Sequence, residues 1–365
     1  MGTKLGLVGL PNAGKSTVFN ALTAGHAAVA PYPFTTTKTP NIGVAQVEDT
    51  RLTALARCLS PERVIPTTIE VVDIAGLIKG AHDGEGLGNE FLSHIFRVDA
   101  LLHVVRCFEE ENIAHPMGAV DPLRDIEVIN TELMLKDLEL LTRRKEKEQK
   151  VAKGGDKHAI RLIEHLERWV ATLSAGQTIR SLRLSAEGHP HAFGVDLLSA
   201  KPVLYVANVG EEGAASGGAV LEALRAFATR DGAGLIVICA KLEAELIELE
   251  PADRIAMVRE LGLTDSALPQ VIRHGYELLR LITFFTTASK ILQAWTVSQG
   301  TKAPQAAGTI HTDFERQFIR AEVIAAEALV QCGSEANARA QGLLRVEGKE
   351  YVVQDGDVMH FRIGT

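Results

Sequence analysis

Gly9-Leu10-Pro11-Asn12-Ala13-Gly14-Lys15-Ser16 is the stretch that decides the fold. Its spacing, G-x-x-x-x-G-K-S, falls between an apolar run at 5–8 and a helix-like run at 17–24. A strand that ends in a glycine turn and opens a helix aims backbone N–H groups at an anion. Lys15 then reaches the β and γ phosphates of a nucleotide, and Ser16 offers a hydroxyl to Mg²⁺. The positive end of the helix acts on the same anion. Asn12, Ala13, Gly14, Lys15, Ser16 and Thr17 are the expected phosphate-binding residues, with Lys15 also countering charge that develops during phosphoryl transfer.

Outward from this loop, short runs rich in Val, Ile and Leu recur at 5–8, 42–47, 68–72, 100–105, 203–207 and 235–239. They read as strands buried on both faces, and the helical patterns between several of them predict an α/β, doubly wound, mostly parallel sheet. The interval between the runs at 100–105 and 203–207 is far longer than one crossover needs, so something is inserted. Apolar residues at 126, 129, 133, 138 and 141, and again at 160, 163, 166, 170 and 173, step by three and four for the most part. This predicts an antiparallel helical hairpin with Gly154-Gly155 near its tip. The free end is basic: from 143 to 158 there are seven Lys or Arg against three acids. That excess suits a solvated face or a contact with phosphate backbone or an acidic partner.

A third unit begins near residue 278, with strand-like runs at 281–285 and 294–297, a helical stretch expected at 313–329, and a hairpin expected over 350–361 with Asp355-Gly356 as its turn. The expected domains are a P-loop nucleotide-binding domain at 1–123 and 197–277, the inserted hairpin at 124–196, and a small mixed sheet gripping a helix at 278–365.

Beyond the phosphate loop, Asp73-Ile74-Ala75-Gly76 has the D-x-x-G pattern of a second phosphate-sensing loop. Asp73 would support Mg²⁺, and the Gly76 N–H would meet the γ-phosphate. Pro33-Phe34-Thr35-Thr36-Thr37 is placed to give the metal a second hydroxyl, with Thr36 favoured and Thr35 next. Leu77 stands where many related enzymes carry a water-orienting glutamine, which leucine cannot replace. His115, in the polar loop at 109–118, could act on the γ-phosphate instead. Asn12 could coordinate a potassium ion between the phosphates. Base choice should fall to Asn208-Val209-Gly210-Glu211, with Ala240 beside the base. A guanine clamp reads N-K-x-D; here the acid is one methylene longer and the lysine is absent, so guanine preference should be lost.

The bulk composition bounds the remaining possibilities. A chain of 365 residues with 46% hydrophobic content can bury a core, and its net charge of −8 argues against indiscriminate nucleic-acid binding. Four separated cysteines make neither a zinc site nor a disulfide framework. With no signal-like or membrane-spanning run, a cytoplasmic protein is expected, without a membrane or a specific DNA partner.

Taken together, Gly9 to Thr17, Val72-Asp73-Ile74-Ala75-Gly76-Leu77, Gly84-Glu85-Gly86-Leu87-Gly88-Asn89, His103-Val104-Val105-Arg106-Cys107-Phe108, Asn208-Val209-Gly210-Glu211 and Ala303-Pro304-Gln305-Ala306-Ala307-Gly308 resemble the YchF family of Obg-like ATPases over essentially the whole chain. The resemblance implies a coiled-coil insertion and a C-terminal TGS domain of the ubiquitin-like β-grasp type. It also implies hydrolysis of ATP rather than GTP, Leu77 as the family's replacement of the glutamine, His115 as its loop histidine, and association with ribosomes through rRNA or ribosomal protein. Thr35-Thr36-Thr37-Lys38-Thr39 departs from the more usual Cys-Thr-Ile type of switch sequence but leaves Thr36 in register. Two alternatives stand beside this reading: a GTP-hydrolysing ribosome assembly factor, and an interaction protein that holds its nucleotide with negligible turnover.

Overall fold

The computed structural model describes residues 3–23, 40–74, 87–110, 112–211, 218–261, 266–288 and 290–364. They form two compact units, 1–45 with 70–275 and 46–69 with 276–365. In the first, six strands lie in the order β2 (Asn41–Gln46), β4 (Thr68–Asp73), β1 (Lys4–Val8), β5 (Ala100–Cys107), β6 (Val203–Val209) and β7 (Gly234–Ile238). The pairs β1–β4, β1–β5, β5–β6 and β6–β7 are all parallel. Every residue of β6 is buried, and so is every residue of β5 except Cys107. This double burial is why these runs are mostly apolar rather than alternating, with His103, Arg106 and Asn208 as buried exceptions.

The insertion leaves the sheet after β5 as α4 (Pro122–Ala152) and returns as α5 (Lys157–Ser174). Asp121 caps the first helix by accepting from the Arg124 N–H, and Asp156 caps the second by accepting from the Ala159 N–H at 2.8 Å. Gly155 turns between them at φ +81°, a backbone that residues with a Cβ avoid. Leu141, Leu162, Leu166 and Trp169 zip the helices together.

Polar groups pin the base of this hairpin to the sheet. Asp137, fully buried, accepts from the Leu198 N–H at 2.8 Å and the Ser199 N–H at 2.7 Å. Burial pushes its carboxyl up to about 6, against the pull of these donors. Nearby, Asp231 accepts from Arg180 Nε at 2.8 Å, from the Tyr205 hydroxyl at 2.6 Å and from Thr178 at 2.6 Å, while Arg180 also donates to Asn130 on α4 at 2.7 Å. A buried cation is tolerable here because an anion and three further acceptors, Asn130, the Tyr205 hydroxyl and the Ser199 carbonyl, surround it.

In the second unit the order is β11 (Arg345–Glu347), β10 (Phe318–Ala325), β12 (Asp357–Ile363), β8 (Leu281–Ala288), β9 (Ile291–Ser298) and β3 (Arg63–Ile65). The sheet is mixed: β10–β12 and β8–β9 are antiparallel, β12–β8 and β3–β9 parallel. The helix Ala303–Ile310 lays Ala303, Ala306 and Ala307 against Phe284, Phe318 and Met359.

Three expectations are corrected here. Residues 46–69 belong with the C-terminal unit rather than the N-terminal domain. The helix α2 (Thr50–Leu59) buries Leu52 and Leu55 with Phe285, Leu292 and Leu329, and Arg51 bonds Asp355 at 2.8 Å. The stretch 313–329 is not one helix: β10 occupies its middle, flanked by short helices at Thr312–Arg316 and Ala326–Cys332. Cross-strand partners on both sides outweigh the local helical spacing. Nor do residues 350–361 form a hairpin. Asp355 and Gly356 do turn the chain, Gly356 at φ +91° and Asp355 accepting from the Thr283 N–H. The arm before the turn, however, meets Lys302 through a single bridge at Val352, while β12 pairs with β10 and β8.

Candidate nucleotide-binding site

At the carboxyl ends of β1, β5, β6 and β7 lies a cleft of about 770 Å³, lined by Asn12, Gly14, Lys15, Ser16, Thr17, Phe108, Glu110, Asn208, Glu211 and Lys241 among others. Its position is the one an open parallel sheet offers a ligand. The phosphate loop leaves β1 at Gly9, where a Cβ would stand 2.4 Å from the Val104 carbonyl oxygen. Asn12 takes the left-handed conformation at φ +63°, which Asn tolerates better than most residues. The helix α1 (Lys15–Thr23) begins at once, and the Val18 N–H closes onto the Gly14 carbonyl at 3.0 Å. The loop thus points its amides into the cleft from a helix N-terminus.

Lys15 is buried and donates to the Leu10 carbonyl at 3.0 Å. Burial lowers its pKa, and the nearby Asp73 carboxylate raises it in return. Asp73, the last residue of β4, shows the mirror image: burial lifts its pKa, while Lys15 and a hydrogen bond from Asn41 hold it down. Ser16 is exposed at the mouth of the loop. A hydroxyl and a carboxylate are hard oxygen donors of the kind Mg²⁺ takes. Among the described residues no cluster of three His, Cys, Asp or Glu could hold a metal. The residues present fit Mg²⁺. Thr36, Gly76 and Leu77 lie outside the described residues.

On the base side of the cleft Asn208 is held from two sides. Its side chain is buried and both ends of its amide are committed to backbone, Nδ2 donating to the Ala13 carbonyl at 3.0 Å and Oδ1 accepting from the Ala240 N–H at 3.0 Å. Asn208 therefore laces the phosphate loop to the loop after β7, and with one Nδ2 hydrogen left over it still lines the cleft. Gly14, at φ +94°, leaves room for this amide, since a Cβ there would lie 2.2 Å from Nδ2. Val209 is buried and lines the cleft, as does Ala240. Glu211 is exposed and pairs with Lys241 at 2.9 Å. Lys241 was no part of the expected site. In the sequence it only closes the run 237–241 read as lying beside the base, and the pairing needs the fold.

His115 lies apart from the cleft lining. Its side chain is 3% exposed, Nε2 is 2.8 Å from an Asp125 carboxylate oxygen, and Nδ1 accepts from the Met117 N–H at 3.1 Å. Its loop is tied from two further sides. Asn12 Nδ2 donates to the Ala114 carbonyl at 3.0 Å, and Arg106, buried at the end of β5, donates to the carbonyls of Phe108 and Ile113. Neither Asp125 nor Arg106 was among the expected site residues.

At the hairpin tip, Arg143, Arg144 and Lys145 pair with Glu139, Glu148 and Glu167. Lys147, Lys150, Lys153 and Lys157 are exposed, with no ion pair among the described residues. No helix of the described residues is long and apolar enough to cross a membrane.

Residues 4–147 match a family model described as 50S ribosome-binding GTPase, and residues 281–364 match one described as Protein of unknown function (DUF933), YchF-GTPase_C. Proteins named Ribosome-binding ATPase YchF from Haemophilus influenzae and Haemophilus ducreyi are each 49% identical to this chain over the whole of both chains. A solved structure titled as the YchF GTPase of Schizosaccharomyces pombe superposes with a TM-score of 0.87 at 36% identity, covering 99% of this chain and 98% of that one.

Proposed function

Because the chain belongs to the YchF family, whose members carry names that divide between ATPase and GTPase, we propose that it is a Mg²⁺-dependent ATPase that binds the ribosome. The observation that carries the choice of nucleotide is the Glu211–Lys241 pair. A guanine clamp needs a carboxylate free to accept from N1–H and the exocyclic amine. Here the carboxylate is one methylene longer and one of its oxygens already faces a cation, which weakens the bonds that would favour guanine. The adenine ring then has Val209, Phe108 and backbone groups of 239–241 to pack against.

In this reading Lys15 and the amides of 12–17 bind the phosphates, and Ser16, Thr36 and Asp73 hold Mg²⁺. The ion supplies charge neutralisation at the β and γ phosphates. Gly76 meets the γ-phosphate, Asn208, Val209, Glu211 and Ala240 face the base, and His115 assists hydrolysis. Asn12 keeps its side-chain oxygen for a potassium ion, because only its nitrogen is used against Ala114. The domains are those expected from the sequence, with 46–69 reassigned to the C-terminal unit, and the exposed lysines of the hairpin tip meet the ribosome. A cytoplasmic location follows from that partner.

Calorimetry on nucleotide-free protein with Mg²⁺ tests the base: tighter ATP than GTP binding is expected, and equal or tighter GTP binding would shift the reading to a GTPase assembly factor. Co-sedimentation with ribosomes tests the partner, and Lys153→Glu with Lys157→Glu should weaken it. A turnover comparison in potassium and sodium buffers tests Asn12.

A further inference from the structure

If His115 assists hydrolysis, it does not do so from where it lies. The cleft is lined by its loop neighbours Glu109, Glu110 and Ile113 but not by His115, whose ring is sealed against the start of α4. Both ring nitrogens are engaged. Nδ1 accepts a backbone N–H from Met117, so it carries no proton, and Nε2 therefore bears the hydrogen it gives to Asp125. The ring is a neutral imidazole of fixed tautomer.

Asp125 is well suited to hold it there. It is 3% exposed, it sits on the first turns of a 31-residue helix, and its other carboxylate oxygen accepts from Arg124 at 3.2 Å. The loop itself stays tethered by other groups, Asn12 on Ala114 and Arg106 on Ile113, so the ring can leave Asp125 without the loop being lost. From these contacts we infer that Asp125 is the positioning residue for His115: it stores the imidazole as the Nε2–H tautomer away from the nucleotide and so limits the basal rate of hydrolysis. Freed from Asp125 and from the Met117 N–H, the ring offers its Nδ1 lone pair to an attacking water and its Nε2–H to a phosphate oxygen. No proton need be gained or lost from solvent in the swing. The inference rests on the reading of His115 as the hydrolytic histidine.

Single-turnover ATP hydrolysis by Asp125→Ala, Asp125→Asn, His115→Ala and the Asp125→Ala/His115→Ala double variant tests it. His115→Ala should be slower than wild type. Asp125→Ala should be faster by ~10-fold, the scale of one hydrogen bond to a charged group, with ADP affinity unchanged. Asp125→Asn, which keeps shape and an acceptor, should be faster by a smaller factor. The double variant should match His115→Ala. A merely structural role would not move the ¹⁵N shifts of the His115 ring, which should report one tautomer in wild type and an averaged pair in Asp125→Ala. A slower or unchanged Asp125→Ala, beside a slow His115→Ala, overturns the storage role alone. A His115→Ala variant with wild-type turnover overturns the reading of His115 and the inference with it.

Discussion

Asn208→Ala separates a residue that reads the base from one that shapes the phosphate loop. The side chain is buried, and its amide joins the Ala13 carbonyl to the Ala240 N–H, each at 3.0 Å. Truncation leaves two backbone groups without these partners. At ~1–3 kcal/mol for each unsatisfied buried group, the total cost is ~2–6 kcal/mol. Part of it appears as lost fold stability and part as lost nucleotide affinity, because the bonds hold 13 and 240 in the geometry that receives the ligand. If only ~1–2 kcal/mol falls on binding, affinity drops ~5–30-fold. The decisive feature is its uniformity: ATP, ADP and GTP should weaken by the same factor, since phosphate and loop geometry are common to all. Calorimetric titration of the three nucleotides, with a urea melt of the apo protein, measures both parts. A loss confined to adenine nucleotides, with the melt unchanged, would mean that Asn208 reads the base and that its lacing role is mistaken.

Lys241→Met frees the Glu211 carboxylate and should raise GTP affinity relative to ATP; an unchanged ratio in competition titrations would remove Lys241 from base selection. Arg180→Met leaves Asp231 buried without its cation and should cost ~3–5 kcal/mol in a denaturant melt, with much of that recovered in Arg180→Met/Asp231→Leu; singles near wild-type stability would refute the network's importance. Asp137 gives a pH signature. Its folded pKa of about 6 stands above the ordinary carboxyl value of 3.8, so its contribution is complete below pH 4 and is lost as pH rises through 6. The lost amount is ~3 kcal/mol, and Asp137→Asn should flatten the wild-type stability profile between pH 4 and 7; a profile indifferent to the substitution would refute this.

The sheet carrying the site was legible because its strands are buried on both faces, and continuous apolar runs ending in Gly9, Asp73 and Asn208 leave few alternatives. The hairpin was legible for a similar reason: its apolar residues keep helical steps on either side of Gly154-Gly155. The segment 318–325 misled because Phe318, Ala321 and Ile324 are spaced as on a helix, while the contacts that make it a strand come from 345–347 and 357–363, far along the chain. The assignment of 46–69 failed likewise, since Arg51 to Asp355 spans three hundred residues. At the site, identity was readable and allegiance was not. Asn208 and His115 stood out by position, but the partners that define their work, Ala13, Ala240 and Asp125, could be found only in space.

Those partners also constrain how a ribosome at the hairpin tip could speak to the nucleotide. Asp125 and Lys150 lie on one helix, separated by about 38 Å at 1.5 Å per residue. A rigid helix could act as a lever, tilting at the tip and pulling Asp125 from His115. Between the two ends, however, Asn130 is bonded to the buried Arg180 and Asp137 to the backbone at 198–199. A tilt large enough to break the His115 contact would have to break these as well, and buried polar groups left open are costly. The low-energy response to load at the tip is therefore bending beyond residue 137, where the helix rests on α5 and the 193–197 stretch through apolar packing rather than these buried polar bonds. On this argument the lysines of the tip anchor the protein, and release of His115 is governed at the other end of α4, by contacts made directly with the loop at 109–118 or by the nucleotide beside Asn12.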